Sequence, residues 1–135
     1  MTRLLLDSSA YIAFKKRHPE VVEILQQAEL IFVCPIVLGE LRAGFLQGTK
    51  RDANERELRL FLESSRVKVL VLDEETSDRY AVIHVGLKQA GTPIGINDVW
   101  IAASAMQHGL PVLTSDRDFH KIPQILVRHF SALTA

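Results

Sequence analysis

The stretch LTSDRDF, residues 113–119, carries an apolar run, Pro111-Val112-Leu113, into two carboxylates two residues apart, Asp116 and Asp118. Acids placed where a strand leaves the core either cap a polar turn or offer oxygen ligands to a cation. A second apolar run, Leu4-Leu5-Leu6, ends in the same way at Asp7. Two more acids stand out by the helix face they share. In the segment from Pro35, Val37, Leu41 and Gly44 form one stripe at i, i+4, i+7, and Glu40 falls inside it. In the segment from Asn97, Ile101, Ala102 and Ala105 form a stripe to which Asp98 belongs. A surface helix turns its acids away from its apolar face, and burying an unpaired carboxylate is costly.

Each acid has a simple role open to it. Asp98 can favour a helix start through the dipole or a cap, and Glu40 can pair with Arg42. Asp7 can cap the next helix, although Ser8 and Ser9 are available for that. Asp116 or Asp118 can cap a turn at Phe119. Taken together, two acids at strand ends and two on apolar helix stripes can all point into one crevice. Two carboxylates roughly 5 Å apart repel by about 3 kcal/mol at an effective dielectric near 20, so a group of four needs protons or cations. A divalent metal is the economical solution. No CxxC or HxxxH is present, and His18, His84, His108, His120 and His129 are scattered. His84 shares a stripe with Tyr80 and Leu87, which suggests packing, and His120 reads as a surface residue. An all-oxygen ligand set suits Mg²⁺ or Mn²⁺ rather than zinc. Carboxylates on such a metal, with no nucleophilic Ser, Cys or Lys motif, point to hydrolysis of a phosphodiester.

The elements that must position these acids follow from periodicity and punctuation. Strands are expected at Arg3–Leu6, Leu30–Val33, Val67–Leu72, Leu110–Leu113 and near Ile125–Val127. Between them, Pro19 suits a first helical position ahead of the Val21, Ile24, Leu25, Ala28 stripe. Further helices are expected from Pro35 to about Gln47, from about Ala53 to Ser65, from Glu74 to Ala90 and from Asn97 to His108, with a short one from Asp118. Strands alternating with helices imply a parallel sheet covered on both faces, with ligands outside the carboxyl ends of the strands. Asp7 and Asp116 both lie on that edge.

Bulk properties fit one globular domain over residues 1–135. The chain has 47% hydrophobic and 24% charged residues, and this length hides about two thirds of the unfolded surface without staples. Lys plus Arg and Asp plus Glu number 16 each, so net charge gives no sign of a nucleic-acid partner, although a local basic patch is compatible with it. Cys34 is the only cysteine. It cannot form an internal disulfide, fits a reducing compartment and reads as a core filler. No run is long enough for a signal peptide or a membrane span. The expectation is a soluble, cytoplasmic protein.

Four stretches, LLLDSSAYIAF (4–14), PIVLGELRAGF (35–45), PIGINDVWIAASA (93–105) and LTSDRDF (113–119), resemble the four motifs of the PIN domain, and more narrowly its VapC-like toxin branch. The likeness spans nearly the whole chain, in order. It implies a three-layer α/β/α sandwich around a parallel sheet of four to five strands, and a Mg²⁺- or Mn²⁺-dependent ribonuclease. It also implies a small antitoxin that occludes the site, and a homodimer. Asp7, Glu40, Asp98 and Asp116 match the family's acidic quartet, and Asp118 a frequent fifth acid with an assisting role. Thr114 matches a small polar residue that orients a carboxylate or water, and Asn97 the residue that fixes the third motif's helix start. The Ser8-Ser9 pair departs mildly from the commoner pattern.

The mechanism expected is in-line attack of an activated water on phosphorus, leaving 5′-phosphate and 3′-hydroxyl ends. Attack by a 2′-hydroxyl would instead want a His or Lys acid–base pair, and no such pair is evident from the letters. Lys15, Lys16, Arg42 and the Lys50–Arg51 pair are candidates for RNA backbone contacts, each with a solvated side chain as the simpler account. Two rivals remain. A phosphoacceptor receiver would want an acidic pair after its first strand and a Lys after its last, a poor match. A catalytically idle PIN scaffold binding RNA or a protein would be expected to have lost an acid, and none is lost.

Overall fold

Leu4, Leu5 and Leu6 are each at most 1% exposed, so the first strand is covered on both faces, as in a parallel sheet sandwiched between helices. In the computed structural model, which describes residues 2–133, this strand, β1 (Arg3–Leu6), is the centre of a five-stranded sheet. It is followed by α1 (Ser8–Lys15), α2 (Pro19–Gln27), β2 (Leu30–Val33), α3 (Pro35–Gln47), α4 (Arg51–Glu63) and β3 (Val67–Val69). The second half contributes α5 (Glu74–Gln89), α6 (Ile96–His108), β4 (Val112–Thr114), a short 3-10 helix (Arg117–Lys121) and β5 (Val127–His129). The strands lie in the order β3-β2-β1-β4-β5 and every pairing is parallel.

The chain winds outward from β1 through β2 to β3. It then returns along α5 and α6 to place β4 on the other side of β1, in register Leu5↔Val112 and Leu6↔Leu113. The winding direction reverses between β1 and β4. Loops leaving two such strands part to opposite sides, and the crevice between them is where open α/β sheets hold ligands.

Local chemistry explains most element ends. Asp73 and Thr76 form a reciprocal capping box at the start of α5, which satisfies two N–H groups the helix leaves free. Gly109 ends α6 at φ 63°, a left-handed conformation favoured by a residue without Cβ. Tyr80 of α5 stacks on Trp100 of α6 at 4.2 Å, and His84 stacks on Tyr80 at 5.6 Å, a ring contact at the surface, since His84 is itself exposed.

Several boundaries differ from the sequence expectation. β3 stops at Val69, not Leu72, because its partner β2 ends at Val33 and offers no further ladder. β4 runs over Val112–Thr114, not Leu110–Leu113: the Leu110 N–H is committed to the Ala105 carbonyl at the end of α6, and Pro111 has no N–H to give. β5 lies two residues later than expected, set by the register Val112↔Val127. α4 begins and ends two residues early, and α6 begins one residue early. α1 and α2 are separate helices broken at Arg17, which takes φ 59°. Among the described residues no helix is long and apolar enough to cross a membrane.

The burial of β1 gives a stability test. Leu5→Ala, at a fully buried position, is expected to lower unfolding free energy by about 2–5 kcal/mol. Leu46→Ala, at a position 62% exposed, is expected to change it by less than about 0.5 kcal/mol. Urea denaturation of the two variants checks this, and similar losses at both sites would contradict the assignment of β1 to the core.

Candidate metal centre

Asp7 is the first residue beyond β1, and it is only 4% exposed. Its backbone closes the edge: its N–H donates to the Leu113 carbonyl, and its own carbonyl accepts from Ala10 and Tyr11 to open α1. Although Asp7 occupies the N-cap position of α1, its side chain makes no capping bond. Oδ2 instead accepts from the Thr114 hydroxyl at 2.7 Å. Burial pushes the carboxyl up, hydrogen bonds from Thr114 and Ser9 pull it down, and the Asp116 charge adds to the rise.

Asp116 follows β4. Its N–H donates to Thr114 Oγ1 at 2.9 Å, and its Oδ1 accepts from the Asp118 N–H at 2.9 Å. Asp116 thus caps the 3-10 helix, which the sequence left open between Asp116 and Asp118. Asp118 lies in that helix's first turn and pairs with Lys121 at 2.9 Å.

Asp98 projects from the first turn of α6, where the helix dipole favours an acid, but the N-cap is Gly95 and there is no side-chain cap. Asn97 therefore does not cap this helix, as the resemblance had implied, because the turn starts earlier. Its amide lies against Glu40 and lowers that carboxyl. Glu40 comes from α3. Arg42, its possible partner, turns away to Glu55 at 2.9 Å, and Glu40 Oε1 is buried with no hydrogen-bond partner. Burial raises the Glu40 carboxyl and the Asp7 charge raises it further, against Asn97 and Ser8.

These acids converge. One carboxylate oxygen from each of Asp98, Asp116 and Asp118 lies within 4.8 Å of the others. Asp98 is the electrostatic focus: burial first, then the charges of Asp7, Asp116, Glu40 and Asp118, push it from 3.8 up to about 7. Among the described residues the one side-chain cation paired with any of the five is Lys121. An all-oxygen set with a large charge deficit and an unpartnered buried oxygen fits a divalent cation, with Asp98, Asp116 and Asp118 as its nearest common donors. Cys34 is no rival nucleophile, since it is fully buried against Ser104 and burial raises its thiol.

Two features were not legible in the letters. His120, in the 3-10 helix, and His129, in β5, bring their rings to 5.6 Å, and His129 Nε2 lies 3.2 Å from the Ser115 carbonyl beside Asp116. Ser9 reaches into the site rather than serving its helix end. Its signal was a hydroxyl two residues after a strand-end acid. Of the candidate RNA contacts, Lys15 is drawn to Glu57 at 2.5 Å and Arg42 to Glu55.

The Asp98 shift sets a pH dependence. The unfolded chain ionises this carboxyl near 3.8 and the fold holds its proton up to about 7. Its contribution to stability is therefore complete below about 3.8 and is lost as pH rises toward 7. In EDTA, the melting temperature of the wild type is expected to fall across this window more than that of Asp98→Asn. Parallel curves would contradict the shift.

The PIN domain family model matches residues 4–125. Ribonuclease VapC4 of Mycobacterium tuberculosis is 38% identical over 95 residues, 70% of this chain and 73% of its own length. Among solved structures, VapBC2 from Rickettsia felis, bound to a DNA fragment from its promoter, superposes with a TM-score of 0.84 at 25% identity, over 96% of this chain and all of that one. VapBC-5 from Mycobacterium tuberculosis, of the VapBC family of toxin–antitoxin systems, gives a TM-score of 0.75 at 26% identity over 96% of this chain and 100% of its own. With the strand order, the acid-lined crevice and these likenesses in agreement, the chain belongs to the PIN domain family, among the VapC ribonucleases.

Proposed function

We propose that the chain, as a single domain, is a divalent-cation-dependent endoribonuclease and the toxin of a toxin–antitoxin pair. The observation that carries this reading is the convergence of four carboxylates on Asp98, with Lys121 as the one paired side-chain cation among the described residues. Relatives named ribonucleases and toxin–antitoxin complexes support the substrate and the partner. The partners proposed are an RNA substrate, a small cognate antitoxin and a second copy of the chain, in the cytoplasm.

Asp98, Asp116 and Asp118 would hold the ion, with Asp7 and Glu40 reaching it directly or through water. Hard oxygen donors select Mg²⁺ or Mn²⁺. Such an ion, when bound, supplies positive charge to a phosphodiester and makes water more acidic. Asp7 is held rigid by its hydroxyl donors, so it orients rather than moves. Glu40 Oε1, with no protein partner, is the acceptor for the proton of the attacking water. The water oxygen bonds to phosphorus, the bond from phosphorus to the 3′-oxygen breaks, and that oxygen takes up a proton from solvent. The products are a 5′-phosphate and a 3′-hydroxyl. Lys16, exposed and free of the ion pair that engages Lys15, is available to RNA phosphates, as are Lys50 and Arg51.

The His120–His129 pair favours one specific alternative, attack by the 2′-hydroxyl with the imidazoles as acid and base. The ends distinguish the two routes, because that attack leaves a 2′,3′-cyclic phosphate and a 5′-hydroxyl.

The test is cleavage of a mixed RNA pool by the purified chain, free of any antitoxin, with Mg²⁺ or EDTA. Discrete cuts with 5′-phosphate ends are expected, abolished by EDTA and reduced more than about 100-fold in Asp98→Asn. Cutting that survives EDTA and that substitution would remove the acids from the active site. Cyclic ends lost in His129→Ala would move the chemistry to the histidines.

A further inference from the structure

We infer that Ser9 is a positioning residue for the metal centre, acting with Thr114 to hold Asp7 by one oxygen and leave the other for the cation. The inference rests on the reading of the five acids as a metal site and adds a residue to it.

Ser9 lies in the first turn of α1, yet its hydroxyl does not cap that helix. It donates to Asp7 Oδ2 at 2.9 Å and accepts from the Ser115 N–H at 3.2 Å, across 106 residues of chain. Thr114 repeats the pattern: its hydroxyl donates to the same Oδ2 at 2.7 Å and accepts from the Asp116 N–H at 2.9 Å. The two hydroxyl oxygens are 3.3 Å apart. Each has a single proton, and both are committed to Oδ2. Among the described residues no side-chain donor reaches Oδ1, and the one further donor beside the carboxylate is the Ser8 main-chain N–H.

The physical consequence is a clamp with two jaws. Oδ2 receives two hydrogen bonds, which fix the rotation of the carboxylate and concentrate its free lone pairs on Oδ1. The same hydroxyls tie down two successive N–H groups beyond β4, at Ser115 and Asp116. The direction of the Asp7 carboxylate and that of the Asp116 main chain are therefore set together. Losing a neighbour that orients a ligand in this way typically costs a metal site about 10–100-fold in affinity. Thr114 alone leaves the Ser115 N–H and one approach to Oδ2 unfilled, so Ser9 completes the clamp.

Calorimetric titration of Mn²⁺ into the full chain, without RNA, tests this apart from catalysis. Ser9→Ala is expected to bind Mn²⁺ about 10–100-fold more weakly than wild type, while Ser9→Thr, which keeps the hydroxyl, restores most of the affinity. In an Asp7→Asn background, removing the Ser9 hydroxyl is expected to cost no further affinity. Melting in EDTA confirms that each variant folds, and Ser9→Cys, a weaker donor of similar size, replaces Ser9→Ala if the latter does not. A folded Ser9→Ala protein that binds Mn²⁺ like wild type would overturn the inference and leave the metal centre standing. Equal losses in Ser9→Ala and Ser9→Thr would also overturn it, by pointing to packing. A wild type that binds no Mn²⁺ would overturn the metal centre itself and this inference with it.

Discussion

Mutual repulsion among carboxylates at one sheet edge is the constraint that the rest of this molecule answers to. Asp7, Glu40, Asp98 and the Asp116–Asp118 pair come from four separate stretches of chain, and Asp98 feels the charge of the other four acids. Left to themselves, such groups would spread into water. They stay together because the elements that carry Asp7, Glu40 and Asp98 are anchored by apolar burial, and Phe119 anchors the 3-10 helix beside Asp116 and Asp118. β1 sits at the centre of the sheet, with all three of its leucines buried. α6 presents Val99, Ile101, Ala102, Ala103 and Ala105 to the core within one short span. The apolar burial of these elements opposes the repulsion, which is the usual relation between a binding site and its scaffold.

The topology decides where that opposition is applied. A sheet that winds outward from β1 to β3 and then returns to β4 must reverse direction between β1 and β4, and the reversal leaves room for a ligand at that point. Asp7 and Asp116 are the residues that immediately leave those two strands, or lie one step beyond. The floor of the site is thus formed by the centre of the sheet. The 3-10 helix after β4 adds Asp118 and, through Lys121, a partial counter-charge. Glu40 and Asp98 reach the same crevice from α3 and α6.

Hydroxyl groups do the fine adjustment. Thr114 is fully buried and links the carboxylate of one strand to the main chain beyond its neighbour. Ser9 does the same from the opposite jaw. A buried carboxylate with two hydroxyl donors keeps its orientation without a cationic partner, so positive charge in the crevice is left for a ligand to supply.

Sequence by itself determined the strand–helix alternation, the acids that break the apolar pattern and the oxygen-only ligand chemistry, because these are local: periodicity, residue type and punctuation are written in neighbouring letters. The ends of β4 and β5 were not legible in that way. Pro111 and the committed Leu110 N–H shift one, and pairing register shifts the other, and register is a relation between distant strands. Only the tertiary structure decided that Asp116 and not Asp118 caps the 3-10 helix, that Arg42 leaves Glu40 for Glu55, and that Asn97 faces Glu40 instead of starting its helix. It alone brought Ser9 to Asp7 and Ser115, and His120 to His129. Each of these outcomes turns on which of several competing partners lies within about 3 Å or in ring contact, and that depends on how the layers pack.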